Sequence, residues 1–282
     1  MTILITGASG FSGKCLTQTL VGEKTLLVRT PDYLEIANCK TVTCDLLEIE
    51  TVKNVVKELM PTEIYHLAGS FTNDYEVDFR LNVTATKNLL DSVKQYVPTA
   101  RILLVGSAAE YGLITNDQCP VKEDSPLQPC NVYGLTKIYQ KYLMDFYAGS
   151  FSLDIVMARP FNLYGRDISP RLFIGKVYRE IAKFKNGITT EISLGNLNSE
   201  RDYISIEKAI SHYIKIMASG LKGEIYNVGL GVPTRTGEIL KVILEEEGLD
   251  MSAIRANTRN TQLNDSDRIY ADISKLKGLY ND

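Results

Sequence analysis

The chain reads as an α/β protein, a Rossmann-type doubly wound parallel sheet with a smaller C-terminal substrate-binding lobe. Three observations predict this. Short, continuous β-branched runs alternate with helix-period segments from the first residues onward, the pattern of buried parallel strands joined by helical crossovers. A glycine-rich turn, Thr6-Gly7-Ala8-Ser9-Gly10-Phe11-Ser12-Gly13, follows the first such run and opens the first helix. The 282 residues are 44% hydrophobic and 23% charged, which is enough apolar material for a sizeable core and excludes disordered and coiled-coil classes.

The elements follow in order. Thr2 to Thr6 is a short buried-strand run, and Ser12 to Val21 a helix with Phe11, Cys15, Leu16 and Leu20 at helical spacing. Leu26 to Val28 and Thr41 to Cys44 are the second and third strands. Val52 to Met60 is a helix that Pro61 stops. Ile64 to Leu67 is a strand, Asn82 to Tyr96 a long helix ending near Pro98, and Ile102 to Val105 the fifth strand. Tyr133 to Tyr147 is helical and Leu153 to Met157 the sixth strand. Beyond Pro160 the rhythm changes. Pro170 to Asn186 reads as helix, Ile188 to Leu194 as strand, and 200–220 and 235–247 as helices. The expected division is a dinucleotide-binding domain over 1–165 and a smaller lobe over 166–282.

Charge and special residues narrow the function. A net charge of −3 argues against a nucleic-acid partner. No apolar run approaches the roughly 20 residues of a membrane span, and no basic segment precedes an apolar stretch at the N-terminus, so the expectation is cytoplasmic. The five cysteines match no zinc or disulfide-exchange spacing, and two histidines are too few for a histidine-rich centre, so no metal is expected.

Glycines 7, 10 and 13 permit a tight turn, close approach of backbone to a pyrophosphate, and close helix–strand packing. The turn, with Ser9 and Phe11, is the expected phosphate cradle at a helix N-terminus. Arg29 ends the second strand, 22 positions after Gly7. A guanidinium there suits the 2′-phosphate of NADP(H), while Asp32 would serve NAD(H); NADP(H) is favoured and NAD(H) stays open. Asp45, after the third strand, is placed to reach the adenine.

Tyr133 and Lys137 stand four apart and share a helix face. Ser107 lies just past the fifth strand. Hydride transfer at a carbonyl needs such a set: a phenol to protonate the oxygen, a lysine cation to lower the phenol's pKa, and a hydroxyl to steady the oxygen. The bland alternative for each is an ordinary surface residue.

Taken together, Thr6 to Gly13, His66-Leu67-Ala68-Gly69, Leu81-Asn82-Val83-Thr84, Ser107 to Gly112, Tyr133 to Lys137, Arg159-Pro160-Phe161-Asn162 and Arg201-Asp202-Tyr203-Ile204 occur in order. The chain resembles the extended short-chain dehydrogenase/reductases acting on nucleotide sugars, along nearly its whole length. The resemblance implies Ser107, Tyr133 and Lys137 as the catalytic set. It implies Leu46, Leu67, Ala68, Gly69, Asn82 and Pro160 beside the cofactor, with Asn82 structural or a proton relay. It implies Ala108, Asn162 and Arg201 beside the nucleotide sugar, and a homodimer through helices 82–96 and 133–147. Lys176 is a further candidate for the substrate side. Family 4,6-dehydratases carry an acid one or two positions after the catalytic hydroxyl; this chain has Ala108 and Ala109. Segment 194–203 looks most like GDP-sugar dehydratases and GDP-4-keto-6-deoxymannose reductases. The expected activity is therefore NAD(P)H-dependent reduction of a nucleotide-linked 4-keto-6-deoxyhexose, GDP-linked favoured. A 4-epimerase with tightly bound NAD and a non-catalytic NADP-binding regulator are the rivals. The family's usual C-terminal arginine motif is not recognisable; Arg255, Arg259 and Arg268 are the candidates to replace it.

Overall fold

A computed structural model describes residues 2–30, 39–194, 197–256 and 266–281. The strands are β1 (Ile3–Thr6), β2 (Lys24–Val28), β3 (Cys39–Thr43), β4 (Glu63–His66), β5 (Arg101–Val105), β6 (Asp154–Pro160), β7 (Asn162–Tyr164), β8 (Ile192–Leu194), β9 (Glu200–Arg201), β10 (Tyr203–Ser205), β11 (Ile225–Val228), β12 (Thr234–Arg235), β13 (Ile254–Ala256) and β14 (Arg268–Ile269). The helices are α1 (Phe11–Thr19), α2 (Ile49–Leu59), α3 (Tyr75–Phe79), α4 (Ala85–Tyr96), α5 (Val132–Ser150), α6 (Phe173–Lys185), α7 (Ile206–Ser219), α8 (Thr236–Glu246) and α9 (Ser274–Gly278). The main sheet is parallel throughout, in the order β11-β6-β5-β4-β1-β2-β3. The expected doubly wound sheet is present.

Strand parity sets its two faces. Ile3 and Ile5 of β1, Leu103 of β5, and Val156 and Ala158 of β6 pack with Leu16 of α1 and with Ile210, Tyr213 and Met217 of α7. Leu4, Ile102, Leu104, Ile155 and Met157 point the other way, onto Val52 and Val56 of α2, Leu89 and Val93 of α4, and Met144 of α5. Each such aliphatic side chain contributes about 1.5–3 kcal/mol on leaving water. The smaller lobe has its own core, where Ile174, Val177 and Ile181 of α6 meet Ile239, Leu240 and Ile243 of α8 across Ile192 of β8.

Several elements differ from expectation. The long helix 82–96 starts with a π-helical turn over Arg80–Thr84, which holds Asn82, and becomes regular at Ala85. Residues 200–205 are not helical. Tyr203–Ser205 pairs in parallel with Asn162–Tyr164, and the Ser205 side chain then accepts from the Lys208 amide to start α7. The run 188–194 is strand only from Ile192. A seventh strand, β11, adds to β6 at the sheet edge. Thus α7 and β11, both beyond residue 165, complete the large sheet's layers, while α6 and α8 build the smaller core.

Candidate functional site

The strand order reverses between β1 and β4, and ligands of such sheets bind at the carboxyl ends of the strands there. A cleft of about 610 Å³ opens at that point. One wall is the glycine turn. Gly7 has a φ of +69°, and a Cβ on it would lie 2.6 Å from the Ala68 amide nitrogen; a Cβ on Gly13 would lie 2.1 Å from the Gly7 carbonyl oxygen. Only glycine fits at either position. The Gly10 amide closes the turn on the Gly7 carbonyl at 3.0 Å. No side chain caps α1 and its first turn holds no acid, so its N–H groups are left for an anion from outside. These features fit a dinucleotide pyrophosphate.

The opposite wall is built by α5 and the loop after β5. Asn131 caps α5, its Oδ1 accepting from the Gly134 amide at 2.8 Å. Tyr133 therefore stands in the first turn, with Lys137 one turn on. The Phe71 ring meets Tyr133 edge-on, with centroids 4.9 Å apart. The Ser107 side chain stands close enough to the Tyr133 phenol to favour its ionised form, and the Lys137 ammonium lies 5.9 Å from the Tyr133 ring centre. Ser107, Tyr133 and Lys137 thus converge in one cleft.

The electrostatics depart from the expectation that the lysine lowers the tyrosine. Burial pushes the Tyr133 phenol up to about 12 despite the opposing pull of the Ser107 side chain, and the negative charges of Glu110 and Asp78 add to the rise. Burial likewise pushes Lys137 down to about 8, with Glu110 opposing. At neutral pH the phenol is a proton donor. That is the state a carbonyl reduction needs.

Glu110 was not among the sequence candidates, yet it organises this wall. Its Oε1 accepts from the Ser107 amide at 2.7 Å. Its Oε2 pairs with Arg159 Nη2 at 2.7 Å, both side chains being wholly buried. Arg159 also donates to Tyr111 Oη at 2.8 Å, and Tyr111 donates to Asn227 Oδ1 at 2.6 Å. The carboxylate is spent on holding the loop, and among the described residues no Asp or Glu lines the cleft. A signal for it existed, since Glu110 follows Ser107 at capping-box spacing.

Of the other expected residues, Gly7, Gly10, Phe11, Gly13, Leu67 and Gly69 line the cleft, as do Ala108, Pro160, Asn162 and Arg201. Ser9, Arg29, Asp45, Leu46, Ala68, Asn82 and Lys176 are not among its lining residues. Arg29 is exposed at the end of β2. Asp32 lies outside the described residues. Asp45 accepts from the Leu47 amide at 2.9 Å, the Leu46 carbonyl accepts from Asn88 at 2.9 Å, and the Ala68 amide donates to Thr6 Oγ1. Lys176 is exposed on α6. Asn82 is buried behind the wall. It grips both backbone groups of Ser70, at 2.7 and 2.9 Å, and donates to Thr136 at 2.8 Å. Its side chain ties the loop after β4 to α5. Of the C-terminal arginines, Arg255 is exposed and pairs with Glu191, and Arg259 lies outside the described residues. Arg268 pairs with Glu200 in β14, alongside the strand that carries Arg201. Arg171, ahead of α6, donates to the Phe71 carbonyl in the loop after β4.

His66 is structural. Thr6 and Thr86 hydroxyls hold its two ring nitrogens at 2.8 and 2.9 Å, and burial pushes its pKa down to about 3. The unfolded chain, at about 6.5, binds a proton between pH 6.5 and 3 that the folded chain does not. His66 therefore costs stability as pH falls through that window, about 2 kcal/mol between pH 7 and 5. Urea unfolding at both pH values should show that the loss in the native protein exceeds that in a His66→Gln variant by this amount. Equal losses would contradict the buried, neutral ring.

Among the described residues no helix is long and apolar enough to cross a membrane, and no three His, Cys, Asp or Glu side chains group to hold a metal. The model of the NAD dependent epimerase/dehydratase family matches residues 3–229. The GDP-6-deoxy-D-mannose reductase of Pseudomonas aeruginosa is 25% identical over 265 residues, 91% of this chain and 84% of that one. Among the solved structures that share the fold are the following two. UDP-glucose 4-epimerase of Thermus thermophilus, in complex with NAD, has a TM-score of 0.86 at 24% identity, covering 99% of this chain and 92% of that one. RMD of Pseudomonas aeruginosa, complexed with NADPH, has a TM-score of 0.82 at 23% identity, covering 99% and 91%.

Proposed function

The chain belongs to the NAD dependent epimerase/dehydratase family, and from that premise we propose that it reduces a nucleotide-linked 4-keto-6-deoxyhexose, GDP-linked by preference, with NADPH as reductant. It is an NAD(P)-dependent nucleotide-sugar oxidoreductase, and the finer reading rests on one observation. The cleft joins Ser107, a protonated Tyr133 and Lys137, and among the described residues no carboxylate lines it, because Glu110 is turned away into its pair with Arg159. Expelling a sugar hydroxyl needs an acid at that wall; reducing a ketone does not. The P. aeruginosa reductase supports the same direction.

When held in the cleft, a reduced nicotinamide would supply the hydride that C4 receives. Tyr133 gives its proton to the C4 oxygen as charge develops there, and Ser107 holds that oxygen in line. Lys137 holds the nicotinamide ribose and adds positive potential beside the phenol. The glycine turn takes the pyrophosphate, Arg29 the 2′-phosphate, and Asp45 the adenine side. Asn162 and Arg201 meet the sugar nucleotide, and Arg201 supplies the cation its diphosphate needs. Two copies would pair through α4 and α5, where Tyr142 and Phe146 stand more than half exposed.

The test is absorbance at 340 nm with NADPH or NADH and GDP-, dTDP- and UDP-linked 4-keto-6-deoxy sugars. Stoichiometric loss of reduced cofactor with one sugar is expected, and names nucleotide and cofactor together. No loss with any sugar, and NAD found in the purified protein, would replace this reading by the 4-epimerase.

A further inference from the structure

Lys137 has three N–H donors on a flexible four-carbon stem. One goes to the Val105 carbonyl at 2.8 Å, and a second to Gln140 Oε1 at 2.9 Å. Only the third is left to act in the cleft that Lys137 lines. Gln140, one helical turn beyond Lys137, is wholly buried.

The orientation of its amide follows from the groups behind it. Thr86 Oγ1 lies 2.6 Å from the Asn82 carbonyl, which can only accept. The Thr86 hydrogen is thereby used. Its oxygen must accept from both other neighbours, Gln140 Nε2 at 3.0 Å and His66 Nε2 at 2.9 Å. The Gln140 carbonyl end is therefore turned toward Lys137. Thr6 in turn donates to His66 Nδ1, at the foot of the glycine turn. Each hydrogen bond in this chain of groups then has one donor and one acceptor, and Gln140, Thr86, His66 and Thr6 are all buried.

We infer that Gln140 is the positioning residue for Lys137: it fixes the ammonium so that the remaining N–H points at the cofactor ribose. It does so as a neutral acceptor. A carboxylate in its place would draw the lysine's charge to itself, whereas the amide leaves that charge to act on the cleft. The inference rests on the reading of Lys137 as the ribose contact.

The test is a double-mutant cycle on cofactor affinity, with no sugar present, so that failure of the reductase reading does not affect its outcome. The chain has no tryptophan, and the emission of bound NADPH or NADH can be titrated without interference from it. Lys137→Met should weaken binding roughly tenfold, the scale of a hydrogen bond to a charged group. Gln140→Met, close in volume, should weaken it roughly fivefold in the native background, and have no further effect in Lys137→Met. Gln140→Glu, which restores an acceptor and guards against a folding defect in the methionine variant, should recover part of the affinity that Gln140→Met loses and fall short of native, because the carboxylate takes up the lysine's charge. A merely structural role would give single effects that multiply in the double variant, and that result overturns the proposal. So would unchanged affinity in Gln140→Met. Unchanged affinity in Lys137→Met would remove the lysine assignment and the proposal with it.

Discussion

Replacing Tyr133 by Phe should lower turnover by two or more decades while leaving cofactor affinity within about threefold of native. The ring is retained, so its edge contact with Phe71 and its place in the first turn of α5 survive. What is lost is one hydroxyl, the proton donor. Because burial holds that phenol near 12, it stays protonated across the neutral range, and the native rate of reduction should be flat from pH 6 to 8 as far as this group is concerned. The developing alkoxide at C4 is more basic than the phenolate left behind, so the transfer runs downhill. Single-turnover oxidation of NADPH separates the chemical step from product release. A Phe variant that turns over at the native rate would remove Tyr133 from the mechanism.

The second large effect is on stability. Glu110→Leu should destabilise the fold by about 3–5 kcal/mol, since it leaves the Arg159 guanidinium buried without its counter-charge. In a chain of this size that corresponds to a fall in Tm on the order of 10 °C. The Ser107 amide loses its acceptor as well, and turnover should drop with the melting point. Glu110→Leu combined with Arg159→Met should recover part of the loss, because the uncompensated charge is gone. Thermal melts of the two single variants and the double variant check this. A Glu110→Leu protein melting within 2 °C of native, roughly the effect of 1 kcal/mol, would mean that the pair does not carry the loop.

Local features of the site were legible because their causes are local. A strand, a turn needing glycine at positions 7 and 13, and a helix are adjacent in sequence, and a phenol and an ammonium four apart on a helix must share a face. Features set by distant partners were hidden. Ile225 to Val228 carries a buried asparagine, Asn227, that interrupts its apolar run. Only the structure shows its side chain spent on Tyr111 and the Val121 carbonyl. Residues 203–205 look like the start of a helix until 162–164 supplies a strand to pair with. The acid of the Ser107 loop was sought at 108 and 109, where a dehydratase would place it. At 110 it turns inward, and the side chain that receives it is 49 residues further along the chain. Gln140 could not be weighed without Thr86, whose single hydrogen decides which way the amide faces.

The late arrival of β11 bears on how the protein is made. Val228 lies 68 residues beyond Pro160, its partner at the carboxyl end of β6. A ribosome adding about 5–20 residues per second would leave β6 as an open sheet edge for several seconds. Over the same interval the apolar face that α7 covers, with Val156 and Leu103 at its centre, is bare. An unpaired parallel edge beside an uncovered apolar face is a template for pairing with another nascent chain. The first half of the molecule therefore cannot be finished ahead of the second. Its cofactor fold closes only when most of the chain has been synthesised, and the interval before closure is when a chaperone would be needed.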